Sequence, residues 1–209
     1  MTHITTFNPV TRLLRSGLLL LGLMFTWPVA AADAGASPKE VVQTTVDNIL
    51  AILRKPDFDI AKDRETIKGH IVAAFDDTAM AQSVLSTAWR DATPEQQNEF
   101  KALLLQTIED TYLDRVQEYT NETVEFRDEE IRENRATVET FVLTRSGEIP
   151  VNYKLRKRND GRWLVYDVEV ENVSMVSSYR DTYRDIVSRS GVDGLLDQMR
   201  AKAAPVPEV

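Results

Sequence analysis

The sequence predicts an α+β domain: a twisted antiparallel sheet of about four strands wrapped by about six helices, with an apolar cavity between sheet and helices. Three observations lead there. Apolar residues recur at helical spacing from Ser37 to about Tyr119. From Val124 to Val170 the period becomes two, with short Gly- and Asn-containing links. After Ser174 the helical spacing returns as far as Met199.

Ahead of this pattern, residues 1–32 have the three zones of a cleaved secretory signal. Arg12 and Arg15 form the basic zone, Leu18 to Leu23 centres an apolar run, and Val29-Ala30-Ala31-Ala32 offers small residues for cleavage. The run is about a dozen residues, short of the roughly 20 a membrane span needs. No Cys follows it, so a lipoprotein anchor is not expected. The expected organisation is a signal over 1–32, one domain over 33–202 and a loose tail over 203–209, with the two prolines of the tail opposing regular structure.

Ser37-Pro38-Lys39-Glu40 is a capping box with Pro at the first helical position, and the helix it opens runs to about Arg54 with Val42, Val46, Ile49 and Leu53 on one face. Pro56 stops it. A second helix is expected over Glu65 to Phe75. Asp77 is the expected cap of a third, which holds Met80, Val84 and Leu85 and ends at Trp89. Thr93-Pro94-Glu95-Gln96 repeats the start signal and opens the longest helix, with Phe100, Leu103, Leu104 and Ile108 on its apolar side. The strands follow: Val124 and Phe126 alternate with charges; Ala136 to Leu143 is β-branched and aromatic. Ile149, Val151, Tyr153 and Leu155 alternate with Pro150, Asn152, Lys154 and Arg156, and Leu164 to Val170 forms the last strand. Ser146-Gly147 and Asn159-Asp160-Gly161 are the hairpin links. Ser174 caps a helix to about Arg189, Gly191 to Gly194 breaks it, and Leu195, Leu196 and Met199 form a last short helix.

Composition excludes several functions. Removing residues 1–32 takes the formal charge from −8 to −10, which opposes nucleic-acid binding and residence on an anionic membrane surface. The chain has no Cys, and His70 is the one His of the mature part, so thiol catalysis, zinc–thiolate sites and most triads are not expected. No phosphate-binding Gly-rich loop, G-x-S-x-G elbow or H-E-x-x-H occurs. Carboxylates remain. Asp76, Asp77 or Asp167 beside a Tyr would suit a small curved-sheet enzyme with an Asp base acting on an apolar substrate; helix capping and strand pairing are the structural alternatives for the same residues.

Arg162-Trp163-Leu164-Val165-Tyr166-Asp167-Val168-Glu169-Val170 leads into Val173-Ser174-Met175-Val176, Ser178-Tyr179-Arg180, Tyr183, Ile186-Val187 and Gly191-Val192-Asp193-Gly194-Leu195-Leu196. Phe75-Asp76, Met80-Ala81, Val84-Leu85, Trp89, Thr93-Pro94-Glu95-Gln96 and Phe100 precede it in order. Together these segments resemble the MlaC family of periplasmic phospholipid-binding proteins, also called toluene-tolerance proteins, over roughly Ser37 to Met199. Asn172 departs from the pattern, which leads one to expect Gly there. The resemblance implies a soluble, monomeric periplasmic carrier without metal or organic cofactor. It would shuttle phospholipid between an outer-membrane lipoprotein–porin complex and an inner-membrane ABC transporter complex, maintaining outer-membrane lipid asymmetry. Acyl chains would enter between sheet and helices. On that reading Trp89, Phe100, Leu104, Ile108 and Tyr112 form the helical wall, Tyr153, Trp163, Val165, Val168 and Val170 come from the sheet, and Met175 and Tyr179 close one end. Strict alternation would put Trp163 and Val165 opposite Val168 and Val170 unless a bulge intervenes near Asp167.

Overall fold

Helix α1 (Pro38–Leu53) starts where the sequence signals a start: the Glu40 amide donates to Ser37 Oγ at 3.2 Å, and the Ser37 amide donates to the Glu40 carboxylate at 2.7 Å. The same reciprocal box opens α5 (Pro94–Val116), between Thr93 and Gln96. The computed structural model describes residues 35–116 and 122–203, with backbone alone for 112–116; the expected signal over 1–32 and the tail beyond Ala203 lie outside the described residues. Three starts and ends differ from expectation. Helix α2 (Ile60–Ala74) begins five residues before Glu65, because Asp59 accepts from the Ala61 amide. Helix α3 (Asp77–Leu85) is capped by Asp76 rather than Asp77, and it stops at Ser86, whose φ of 54° leaves the helical region. Trp89 therefore lies in a separate short turn, α4 (Ala88–Asp91).

The sheet is an antiparallel meander in the order β1-β2-β3-β4-β5: β1 (Thr123–Arg132), β2 (Arg135–Thr144), β3 (Gly147–Lys157), β4 (Trp163–Val170) and β5 (Val173–Ser174). The charged run Arg127 to Glu133 belongs largely to β1, an edge strand, where exposed charge discourages pairing with other chains. The fifth strand is the addition to the expected four. It arises because Glu171 and Asn172 both take positive φ, 52° and 65°, folding β4 back on itself in a two-residue turn. Asn tolerates that conformation better than most residues, which reconciles position 172 with the expected Gly. Helix α6 (Met175–Ala203) follows. The expected break is a kink inside it at Gly191, where φ of 70° and ψ of −175° suit only glycine comfortably.

Apolar packing forms three clusters. Helices α3, α5 and α6 enclose Met80, Phe100, Leu104, Leu195 and Leu196. Helix α1 covers Val138, Leu155, Trp163 and Val165 of the sheet. The C-terminal half of α1 packs on α2 through Ile52, Leu53 and Ile67. Phe75 touches the first two clusters at once. It forms a parallel bridge to Val165, and the next amide, Asp76 N–H, donates to the Val165 carbonyl at 2.8 Å.

Asp76 fixes this junction. Its Oδ1 accepts from the Ala79 amide at 3.0 Å, and Arg158 Nη1 lies 3.4 Å away. Its Oδ2 has Arg156 Nε at 3.1 Å as an ion-pair contact without hydrogen-bond alignment. Thus the basic residues flanking the β3–β4 turn are partly committed to a buried carboxylate. Asp76→Ala should lower unfolding stability in urea by about 2 kcal/mol. Roughly half comes from the lost cap; the ion pairs add the rest, reduced because both guanidinium groups are more than a third exposed. Asp160→Ala, which removes surface contacts to Arg162 only, should change it by under about 0.5 kcal/mol. Equal losses for the two variants would contradict this account of the junction.

Candidate functional site

Strand register decides which side chains share a face. Ala136 pairs with Leu155, Val138 with Tyr153, Thr140 with Val151 and Val142 with Ile149. On the next strand Val151 pairs with Val170, Tyr153 with Val168, and Leu155 with Val165. Between Lys154 and Leu155 the register with β4 shifts, so that Lys154 faces Asp167 while Leu155 faces Val165, leaving Tyr166 as the extra residue. That bulge is what puts Trp163 and Val165 on the same face as Val168 and Val170. The opposite face carries Arg156, Lys154, Asn152, Glu139 and Glu169, with Lys154 and Glu169 ion-paired. One side of the sheet is therefore apolar over three strands, and the other is mainly polar, with Phe141 and the buried Leu164 among its charged residues.

The apolar face is not covered evenly. At one end Trp163, Val165 and Leu155 are buried under α1 and Phe75. Tyr153, Val168 and Phe126 are half-buried, and Val170 at the far end is 41 % exposed beside Val173. Val41, Val42 and Val46 of α1 supply the cover. The helix is held there by Lys39: its amide donates to Glu129 Oε1 at 2.7 Å, and its Nζ donates to the Arg127 carbonyl at 3.0 Å. That attachment falls at a second register shift, between Phe126 and Glu129 of β1. Tyr153 is half-buried between Val138 and Val168.

The sequence-predicted wall residues divide between two places. Tyr153, Trp163, Val165 and Val168 come together with α1. Trp89, Phe100, Leu104, Ile108, Met175 and Tyr179 belong instead to the cluster of α3, α5 and α6. Phe100 and Leu104 are fully buried there, Phe100 meeting Tyr183 edge-on at 6.0 Å between ring centres. Tyr179 borders a cavity of about 450 Å³ between α5 and α6, with Thr107, Thr111 and Tyr183. Trp89 borders an open surface depression with Ser86, Arg90 and Arg180. The side chain of Tyr112 lies outside the described residues. Sequence reasoning passed over Phe75, Phe126, Val138 and Leu155 as site residues. Alternation in β2 and β3 marks the last two, but nothing periodic marks Phe75, which acts from a junction between helices.

The candidate catalytic carboxylates are engaged in holding helices. Asp167 is buried and accepts from Ser174 Oγ at 2.7 Å and from the Val176 amide at 3.1 Å, and so organises the start of α6. Asp76 caps α3 as described. Asp77 accepts from the Thr78 amide and is partly exposed. Among the described residues, no group of three or more His, Cys, Asp or Glu is placed to hold a metal ion, and no helix is long and apolar enough to cross a membrane.

Burial pushes the phenols of Tyr153 and Tyr183 up to about 12. In the unfolded chain they titrate near about 10. Between those values the folded state holds the extra protons, so their contribution is complete below about pH 10 and is lost as pH rises towards 12. Phenolate absorbance followed with circular dichroism should show these two tyrosines ionising late, with base unfolding setting in above about pH 10. Tyr153→Phe should weaken that alkaline dependence. Ionisation of every tyrosine near pH 10 with the fold intact would refute the burial described.

Comparison with known proteins agrees with this architecture. Over 195 residues the chain is 27 % identical to the toluene tolerance protein ttg2D of Pseudomonas putida, covering 87 % of this chain and 86 % of that protein. It is 23 % identical over 182 residues to the intermembrane phospholipid transport system binding protein MlaC of Haemophilus influenzae, covering 83 % and 85 %. A phospholipid-binding protein from Ralstonia solanacearum, solved in complex with a phospholipid, superposes with a TM-score of 0.73 at 26 % identity, over 81 % of this chain and all of that one. The family model described as MlaC protein matches residues 43–201, from within α1 to within α6, and the chain belongs to that family.

Proposed function

We propose that this chain is a soluble periplasmic phospholipid carrier. It takes the acyl chains of a lipid against the apolar face of its sheet and passes the lipid between an outer-membrane lipoprotein–porin complex and an inner-membrane ABC transporter complex, so maintaining outer-membrane lipid asymmetry. The observation that carries the reading is the unevenly covered apolar face, closed at Trp163 and Val165 and open at Val170. Ordinary core formation would seal such a face, because each exposed aliphatic side chain forgoes about 1.5–3 kcal/mol of burial. A face that is apolar and incompletely covered suits a hydrocarbon guest. The relatives' names add phospholipid binding and intermembrane phospholipid transport.

The energetics give such a carrier its purpose. Two acyl chains hold on the order of 30 methylenes, and at about 0.8 kcal/mol each their exposure to water would cost roughly 24 kcal/mol. Protein surface that replaces most of that burial removes the barrier to crossing an aqueous gap. The process breaks no covalent bond and requires no metal or organic cofactor, and a monomer suffices.

The test is native mass spectrometry of the full chain purified after export in a Gram-negative host. The expected result is protein carrying the mass of a diacyl phospholipid; protein that is free of lipid and takes up none from liposomes would overturn the proposal. Val168→Glu, which places a charge on the half-buried part of the apolar face, should reduce bound lipid at least tenfold. Glu139→Gln, exposed on the polar face, should leave it unchanged. Thermal melts by circular dichroism would show whether both variants remain folded.

A further inference from the structure

The apolar face carries a polar group that its own packing does not explain. Thr140, buried on the same face, satisfies its hydroxyl by donating to the Val151 carbonyl at 2.8 Å. Tyr166, in the β4 bulge, accepts from Arg135 Nη1 at 2.9 Å, and Tyr183 has Thr107 as a hydrogen-bond partner. The Tyr153 hydroxyl has no partner among the described residues, although the ring lies between Val138 and Val168 beneath α1. The residue is half-buried and its hydroxyl is not sealed from solvent, so the group is free to meet an acceptor brought to this face. Enclosure also keeps the phenol protonated across the physiological range, so it stands as a donor.

Its position along the strands is specific. Val170 marks the open end of the face, and Trp163 and Val165 the closed end. Tyr153, paired with Val168, lies one register row inward from the Val151–Val170 row, about 7 Å along the strand. A lipid entering tail-first keeps its charged phosphate at the open end, in contact with water. The last polar groups to pass inside are the ester carbonyls joining glycerol to the chains. These are acceptors only, and Tyr153 offers an O–H at the depth they reach.

We propose that the Tyr153 hydroxyl donates a hydrogen bond to an acyl ester carbonyl of the bound lipid, so that the site selects ester-linked over ether-linked glycerolipids. This rests on the carrier reading and adds a chemical preference to it. The test is competitive loading of the mature full-length protein with a diester phosphatidylcholine and its diether analogue of identical head group and chain length, read by native mass spectrometry. The expected result is a preference for the ester of about five- to tenfold in the natural protein, the worth of one buried hydrogen bond. With Tyr153→Phe the two lipids should load equally. Carbonyl-labelled lipid should show a lowered C=O stretching frequency in the natural protein and a reversal in the variant, a readout that a packing role alone would not move. Equal loading by the natural protein, or a preference that survives in Tyr153→Phe, would overturn the proposal while leaving the carrier reading standing. Failure of the natural protein to load either lipid would overturn both.

Discussion

The contact between the Phe75-Asp76 junction and Val165 holds the helical and sheet halves of this protein together. It is small: one backbone hydrogen bond, one aromatic ring shared between two apolar clusters, and one buried carboxylate. Yet several elements meet at it. Asp76 starts α3, α3 packs on α5 and α6, and Arg156 and Arg158 bring the β3–β4 hairpin to the same carboxylate. Asp167 does the corresponding work two residues after Val165, setting the first turn of α6. Two buried acids on neighbouring stretches of backbone thus aim two helices. Acids that the sequence offers as candidate bases are engaged in positioning the helices around the sheet.

That arrangement separates a sealed helical cluster from a sheet face that is only partly covered. The cluster of α3, α5 and α6 seals Phe100 and Leu104 completely and borders a cavity on its α5–α6 side. The sheet face under α1 is graded, tight at Trp163 and open at Val170, and α1 is held over it by its capping box and by Lys39 on β1. On the proposed carrier reading, a sealed helical cluster and a partly covered sheet would let hydrocarbon be exchanged without unfolding the whole.

Much of this was legible in the sequence because the signals were local. Capping boxes at Ser37 and Thr93, alternation through β3, and the turn residues of the hairpins specify elements by short-range chemistry alone. The closing strand and the site were less legible. Whether Trp163 and Val168 share a face depends on a bulge, and a bulge is a property of pairing between strands. The assignment of Phe100, Leu104 and Tyr179 to a pocket wall rather than to the helical cluster depends on which of two layers a helix turns towards, and apolar periodicity does not distinguish them. Phe75 was invisible as a hub because its importance comes from long-range contact rather than from spacing.

The bulge at Tyr166 also bears on how this strand can vary among descendants. Because side-chain direction alternates, losing one codon there would restore a regular strand and turn Trp163 and Val165 to the polar side, or Val168 and Val170, according to which half kept its register. Either outcome would invert half of the apolar face while shortening the chain by a single residue. Substitution at Tyr166 is cheap by comparison, since its ring lies outside that face with Arg135. Drift in this segment is therefore expected to change residue identity and conserve length, making the spacing from Trp163 to Val170 a more durable mark of descent than the amino acids within it.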